Sequence, residues 1–171
     1  KVILTLNLPE PALKSRCIQA GWPYVLTIIE NDEPKGFAYN HNQAFSCATG
    51  DYFVVMNPDV SWSLEPFPSM LAELRKQKNI GAVYPLQSDS PEHTPVDKAR
   101  PTPTPFGLLR RHLFASEVGG SDAMTWVNAS CLVFCRGVFE KIGGFDERYR
   151  MYCEDVDIGL RLRLAGYSLS C

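Results

Sequence analysis

Short apolar runs alternate with polar or amphipathic stretches along the whole chain. Five of these runs have the length and residue types of β-strands. They span residues 2–6, 24–29, 52–56, 80–84 and 125–135. Because strands that alternate with helical or loop segments are typical of α/β domains, the pattern predicts an α/β fold.

Two stretches on either side of the third run have helical periodicity. The stretch before it predicts a short helix, with Asn40 or Asn42 capping its start and Gly50 following its end. The apolar face of this helix consists of Ala44, Phe45 and Ala48. The stretch after the third run predicts a second helix with basic residues near its C-terminus, where they interact favourably with the helix dipole. Its apolar face consists of Phe67, Met70, Leu71 and Leu74.

The segment that follows Glu154 fits the periodicity of a strand and of a helix equally well. Acidic residues at its start, arginines in its later turns and Gly166 after its end favour a helix.

Residues 85–123 interrupt the regular pattern. Prolines recur through this stretch, at positions 91, 95, 101, 103 and 105. Loops longer than about 12 to 15 residues are uncommon inside a compact domain and often serve as lids. The sequence leaves two readings open, a lid over a substrate and a plain surface excursion.

The composition narrows the classes of partner. A formal net charge of -2 and a pI near 5.9 provide no basic footprint for nucleic acid, so we expect no nucleic-acid partner. The six cysteines lack regular spacing, and no secretory leader precedes them, which indicates reduced thiols and a cytoplasmic protein. No apolar stretch approaches the roughly 20 residues of a membrane helix, and peripheral attachment to a membrane stays open.

Acidic residues mark two places along the chain, a single acid at the first and a cluster at the second. The third apolar run stops at residues 57–59, Asn-Pro-Asp, and ligands in open α/β sheets bind beyond such strand ends. Nearly a hundred residues later, five carboxylates fall within the twelve residues 146–157. The plainest interpretation of the later cluster is capping of a helix N-terminus by acids, which requires no catalysis.

Four motifs in order carry a resemblance to a known family. They are Gly36-Phe37 leading to Asn42, the Asn-Pro-Asp at 57–59, the Gly-Gly-Phe-Asp-Glu at 143–147, and the Glu-Asp-Val-Asp at 154–157. In this order the motifs resemble the family 2 glycosyltransferases of GT-A fold, and most closely their rhamnosyltransferase-like branch. The resemblance implies a single GT-A catalytic domain over residues 1–171, with a mostly parallel mixed sheet flanked by helices.

The resemblance also implies a reaction. Family members of this type are inverting transferases that move a sugar, with rhamnose one candidate here, from a nucleotide-diphosphate donor. The acceptor would be a saccharide or a lipid-linked saccharide in the synthesis of bacterial surface polysaccharide. A divalent cation, Mg or Mn, would neutralise the donor diphosphate. Such an enzyme would lie in the cytoplasm, with attachment at the inner face of the plasma membrane left open.

Residue roles follow from the matching motif positions. The resemblance assigns donor binding to five positions, Gly36, Phe37, Asn42, Asn57 and Asp59, with Asp59 also the metal ligand. It assigns acceptor binding to Trp126, Gly143 and Gly144, although an aromatic residue in an apolar strand is more often part of the core. Asp155 matches the general base, and the adjacent Glu154 is the alternative.

The N-terminal segment departs from the family pattern. Residues 2–7 look more like the family's second strand than its first, and the acid that usually follows that strand is absent. We therefore expect a fragment that lacks the first strand and the C-terminal region. These departures, together with the single acid at residues 57–59, motivate an alternative function, a non-catalytic module that binds nucleotide-sugar or glycan on the same scaffold.

Overall fold

The computed structural model describes residues 1–88, 90, 92–96, 99–101 and 125–171. Its strands are β1 (Val2–Leu6), β2 (Leu26–Glu30), β3 (Tyr52–Met56), β4 (Ile80–Val83), β5 (Arg100–Pro101), β6 (Thr125–Trp126), β7 (Cys131–Cys135) and β8 (Ser168–Ser170). Its helices are α1 (Pro11–Gln19), α2 (Phe37–Cys47), α3 (Phe67–Lys76), α4 (Arg136–Lys141) and α5 (Glu154–Leu164). Strands and helices alternate through most of this order, which confirms the predicted α/β class.

A four-stranded mixed sheet forms the centre of the molecule, in the order β3-β7-β4-β8. Strand β7 runs antiparallel to β3 and to β4, whereas β4 and β8 pair in parallel. Three of the four strands therefore point the same way, and their carboxyl ends share one edge. Strands β1 and β2 form a separate parallel pair, and β5 and β6 form a short antiparallel pair.

Both faces of the central sheet are covered by helices. On one face, buried aromatic and aliphatic side chains pack among α2, α4, α5 and the sheet, and Phe134, Phe139 and Phe145 lie at the centre. On the other face, Met70 and Leu74 of α3 pack against the sheet. The large ring surfaces meet edge to face, a favourable arrangement for aromatic pairs. The resulting three-layer domain holds the strand ends and the start of α5 in fixed positions.

Helix α3 and helix α5 confirm the sequence predictions, and the left-handed Gly166 (φ +85°) follows α5 as expected. The capping prediction for α2 was wrong. Gly36 is the N-cap, and Asn40 and Asn42 lie inside the helix. Their side-chain amides bond to Asn31 and Phe145 respectively, and so do not cap the helix. The helix also ends at Cys47, before the predicted Gly50.

The predicted strand over residues 125–135 is interrupted. It forms β6 and β7 with a turn between them, in which the Asn128 side chain accepts a hydrogen bond from the Ser130 N–H at 2.7 Å. This local side-chain bond competes with strand pairing, which explains the break. Most of the proline-rich stretch, including positions 103 and 105, lies outside the described residues.

The structure also bears on two further expectations, which concern the state of the cysteines and the presence of a membrane-spanning helix. All six cysteines are free thiols. In the described part of the chain, none of the helices has the length and apolar character needed to cross a membrane.

Candidate active site

The turn after β3 presents an uncommitted carboxylate. The Asn57 N–H donates to the carbonyl of Ser130 at 2.8 Å, and the Val60 N–H returns to the carbonyl of Asn57 at 3.3 Å. This turn leaves Asp59 exposed. Among the described residues, no hydrogen bond or ion pair engages the Asp59 side chain, so its oxygens keep their full capacity for a ligand.

The oxygen ligands at this turn can hold a hard divalent cation only together with further ligands from a bound substrate or water. The described residues contain no group of three or more His, Cys, Asp or Glu side chains arranged to hold a metal. Magnesium-type sites typically use one or two carboxylates together with substrate phosphates and water. Asp59 can therefore hold such a cation jointly with a bound diphosphate.

Helix α5 begins with two carboxylates in low-dielectric surroundings. Burial raises the pKa of Asp155, although hydrogen bonds from the backbone N–H groups of Val156 (2.8 Å) and of Asp155 itself partly oppose that rise. Burial raises the pKa of Glu154 as well, and the nearby charge of Asp155 adds to the rise. Glu154 is only 7% exposed, and its Oε2 has no hydrogen-bond partner in the described structure. Carboxylates with raised pKa are the stronger bases, which suits proton abstraction.

The backbone that leads into α5 is strained. Tyr152 (φ +67°) and Cys153 (φ +70°) both adopt the left-handed conformation, which non-glycine residues rarely occupy. Each such residue costs on the order of 1–3 kcal/mol and persists only where surrounding structure enforces it. These two left-handed residues set the direction in which the chain enters α5 at Glu154 and Asp155.

The side chain of Asn42, in helix α2, binds the Gly-Gly-Phe-Asp-Glu motif at residues 143–147. Its Oδ1 accepts the Phe145 N–H at 2.9 Å, while its Nδ2 donates to the carbonyl of Phe145 at 2.8 Å and to Oε1 of Glu147 at 2.9 Å. Sequence reasoning placed Asn42 at the donor. In the structure it contacts the motif that was expected at the acceptor.

Two of the predicted glycines have no room for a side chain. A Cβ on Gly36 would lie 2.5 Å from the carbonyl oxygen of Arg150, and a Cβ on Gly144 would lie 2.5 Å from Oδ1 of Asn42. Gly144 and Gly143 also have positive φ, +68° and +80°, but Gly143 faces open space. Gly36 and Gly144 therefore permit close contact within the protein, whereas Gly143 lines an open surface cavity of about 370 Å³.

Arg161 was not expected in the site and holds the same motif from α5. Its guanidinium pairs with Asp157 at 2.7 Å and donates to the carbonyls of Ile142 and Gly144 at 2.6 and 2.7 Å. The spacing of Asp157 and Arg161, four residues apart on a helix, was the available sequence signal for their pairing. Nothing in the sequence marks the two carbonyl contacts.

The remaining predicted residues lie against these elements. Trp126 is half-buried in β6, which pairs with β5 and packs against α5. The Phe37 ring packs against Phe145 at 5.6 Å and against His41 at 4.3 Å between ring centroids. Burial among these rings lowers the pKa of His41 to about 4, so the imidazole is neutral at physiological pH.

A second group that sequence reasoning missed lies at the ends of β1 and β2. Asn31 is buried and donates to the side-chain oxygens of Asn7 and Asn40 at 3.0 and 2.7 Å. The Asn7 oxygen also accepts the Lys35 N–H at 2.9 Å. This amide network fixes the path from β2 to the start of α2, next to the predicted donor residues Gly36 and Phe37.

Solved structures share this architecture over nearly the whole chain. The mannosyltransferase PcManGT from Pyrobaculum calidifontis, in complex with GDP-Man and Mn2+, covers 99% of this chain and 44% of its own, with a TM-score of 0.65 and 19% identity. GalNAc-T7 with UDP, GalNAc and Mn2+ covers 99% of this chain and 35% of its own, with a TM-score of 0.70 and 12% identity. These likenesses identify the fold as that of the GT-A glycosyltransferases.

Sequence comparison identifies the family. The profile described as "Glycosyl transferase family 2" matches residues 13–142, so the chain belongs to that family, as the motifs predicted. An N-acetylglucosaminyl-diphospho-decaprenol L-rhamnosyltransferase of Mycobacterium tuberculosis is 34% identical over 68% of this chain and 43% of its own length. Rhamnosyltransferase WbbL of Escherichia coli is 24% identical over 99% of this chain and 68% of its own length. The chain thus spans less than half of the first of these relatives.

Proposed function

We propose that this chain carries the catalytic core of an inverting glycosyltransferase that transfers a sugar, with rhamnose the first candidate, from a nucleotide-diphosphate donor. The observation that carries the proposal is Asp155, a half-buried carboxylate of raised pKa at the start of a helix in a GT-A fold. The rhamnosyltransferase names of two relatives support the choice of sugar.

In the proposed reaction, Asp155 accepts the proton of an acceptor hydroxyl as that oxygen attacks the anomeric carbon. Attack from the face opposite the departing diphosphate inverts the anomeric configuration. Glu154 is the alternative base, because the two carboxylates are adjacent. Because β6 packs against α5, Trp126 of β6 is the proposed stacking surface for a sugar ring, and the open space beside Gly143 suits an acceptor contact.

The donor is proposed to lie at the carboxyl end of β3. Asp59 would hold a divalent cation, Mg or Mn, together with the donor diphosphate, and Asn57 would contact the donor beside it. The bound cation would supply Lewis-acid stabilisation of the charge on the leaving diphosphate. Both solved neighbours were determined with Mn2+, which supports this assignment.

For the acceptor we propose a saccharide linked to a lipid through a diphosphate, used in surface polysaccharide synthesis at the inner face of the plasma membrane. Support comes from the relative that is named for N-acetylglucosaminyl-diphospho-decaprenol and from a Myxococcus xanthus relative named as an O-antigen biosynthesis protein. A non-catalytic binding module is the second candidate, favoured by the single carboxylate at the β3 turn.

Calorimetric titration tests the donor site directly. We expect dTDP or UDP to bind the wild-type protein in the presence of Mn2+, and to bind much more weakly without the metal or in Asp59→Ala. A loss of about a hundredfold in affinity would correspond to about 2.7 kcal/mol. Asp51→Ala is the matched control, because Asp51 is exposed at the opposite end of the same strand.

Transfer from dTDP-rhamnose to an N-acetylglucosaminyl-diphospho-lipid then separates the two candidates. Transfer supports the enzyme. Metal-dependent nucleotide binding without transfer or donor hydrolysis supports the binding module, and equal binding by wild type and Asp59→Ala contradicts the proposed donor site.

A further inference from the structure

The side-chain amide of Asn42 has little capacity left for a ligand. An asparagine amide has two N–H donors and one oxygen acceptor. The Nδ2 group contacts the Phe145 carbonyl and Glu147 Oε1, and Oδ1 accepts the Phe145 N–H, all at 2.8 to 2.9 Å. Both donors are therefore used inside the protein, and the Cβ-free surface of Gly144 covers the oxygen closely. A bound nucleotide finds no free donor on this side chain.

Helix α2 contacts the segment before α5 at a second point, five residues before Asn42. The Phe37 N–H, at the start of α2, donates to the carbonyl of Arg150 at 3.1 Å. Gly36 permits this approach, because any side chain there would collide with the Arg150 backbone. The segment from 144 to 150 is thus attached to α2 near both of its ends.

The attached segment continues directly into the two carboxylates. Only residues 151–153 separate Arg150 from Glu154 and Asp155, and two of these three, Tyr152 and Cys153, are left-handed. From the other side, Arg161 of α5 holds the carbonyls of Ile142 and Gly144. A displacement of the motif away from Asn42 would therefore be transmitted to the start of α5.

We propose that Asn42 is a positioning residue, which fixes the start of α5 and its two carboxylates by holding the backbone of Phe145 and the side chain of Glu147, and is not a ligand of the donor. The inference rests on the proposed function for its kinetic consequence. In this proposal Asn42, Gly144 and Glu147 position the reacting groups, and the turn after β3 recognises the donor.

Kinetics with dTDP-rhamnose and an N-acetylglucosaminyl-diphospho-lipid distinguish positioning from donor binding. We expect Asn42→Ala to lower kcat by between about tenfold and a hundredfold, since misplacement by about 1 Å is enough for a loss of that size. The donor KM and the Mn2+-dependent affinity for dTDP should change by less than about twofold. Ser46→Ala is the control, because Ser46 is exposed on the same helix and its hydroxyl contacts only the carbonyl of Gln43 and the sulfur of Cys47 among the described residues.

Exchanging the hydrogen-bond donor and acceptor between positions 42 and 147 should restore part of the lost kcat. Asn42→Asp keeps the acceptor for the Phe145 N–H, loses both donors and places a carboxylate against Glu147. Adding Glu147→Gln supplies an amide that can donate to the new carboxylate. We expect the double variant to recover several-fold in kcat over Asn42→Asp, since side chains in contact are coupled energetically. No recovery, together with a raised donor KM, would overturn the proposal.

Hydrogen exchange supplies a readout that does not depend on activity. The Phe145 amide should exchange faster in Asn42→Ala than in wild type, together with its neighbours in residues 143–150, while amides of β3 and β7 keep their protection. Unchanged exchange at Phe145 would contradict the proposed attachment. Absence of transfer in the wild-type protein would contradict the proposed function alone, so the two proposals fail by different observations.

Discussion

Two regions of this molecule present carboxylates and are built in opposite ways. At the turn after β3, Asp59 is exposed and has no protein partner among the described residues. In residues 142–157, three carboxylates are already engaged by the protein. Asp146 pairs with Arg148, Glu147 with Asn42, and Asp157 with Arg161.

The difference shows which acids remain available for chemistry. A carboxylate that accepts hydrogen bonds from charged or amide donors is stabilised in its ionised form and is a weaker base, as Asp146 illustrates, whose pKa is lowered to about 2 by hydrogen bonds from Arg148. Glu154 and Asp155 are exceptions within the engaged region, because no side chain in the described structure bonds to either. Residues 142–157 therefore consist of a frame, which the bonds of Asp146, Glu147 and Asp157 hold in place, and two reactive groups, Glu154 and Asp155.

Replacing the reactive groups should produce the largest effect. We expect Asp155→Asn to lower kcat by about 10² to 10⁴, the usual contribution of a general base, with a smaller loss in Glu154→Gln. Steady-state transfer rates measure both. Because burial raises the pKa of Asp155, the acid limb of the kcat/KM profile should lie above the ordinary Asp value of 3.8. A larger loss in Glu154→Gln would assign the base to Glu154.

The imidazole of His41, which packs against the rings of Phe37 and Phe145, should make the stability of the protein sensitive to acid. Its pKa falls from 6.5 to about 4 on folding, so the folded state binds fewer protons than the unfolded chain between these values. Stability is therefore complete above about pH 6.5 and is lost as the pH falls toward about 4, by about 2 kcal/mol between pH 7 and 5. Denaturant unfolding of wild type and His41→Phe at both pH values measures this.

The comparison with His41→Phe removes the contribution of other titrating groups. The raised pKa values of Glu154 and Asp155 act in the opposite direction, since the folded protein then binds more protons than the unfolded chain. His41→Phe should lose stability more shallowly with falling pH than wild type. Equal slopes would show that the imidazole is solvated in the folded state.

The adjacent glycines provide the smallest and most closely matched contrast. Gly143→Ala tests positive φ alone, at about 1 to 2 kcal/mol, because open space surrounds it. Gly144→Ala should be less stable by about a further 1 to 3 kcal/mol, because its Cβ collides with Asn42. The free energies of unfolding of the two variants give the difference. If they were equal, the contact between Asn42 and the motif would be loose.

Sequence patterns predicted most of the frame. The apolar runs at residues 52–56 and 80–84 formed strands, and the acids, arginines and Gly166 around the last segment correctly chose a helix over a strand. These elements are determined by local periodicity and by residues at helix ends, which are visible in one dimension. The family and the fold followed from the order of four motifs.

The use of individual polar residues could not be predicted in the same way. Asn40 and Asn42 were interpreted as caps because asparagine favours that position, yet their partners, Asn31 and Phe145, are chosen by tertiary packing. The same holds for Gly36, whose need to be glycine arises from Arg150 more than a hundred residues away. A residue type indicates capacity to bond, and only the fold decides the partner.

The contact between Asn42 and Phe145 also orders events in time. The two residues are separated by 103 positions along the chain. At synthesis rates of about 5 to 20 residues per second, roughly 5 to 20 seconds pass between the appearance of one partner and that of the other. During that interval α2 lacks the motif that it will hold, so the active-site frame can close only when nearly the whole described chain has left the ribosome.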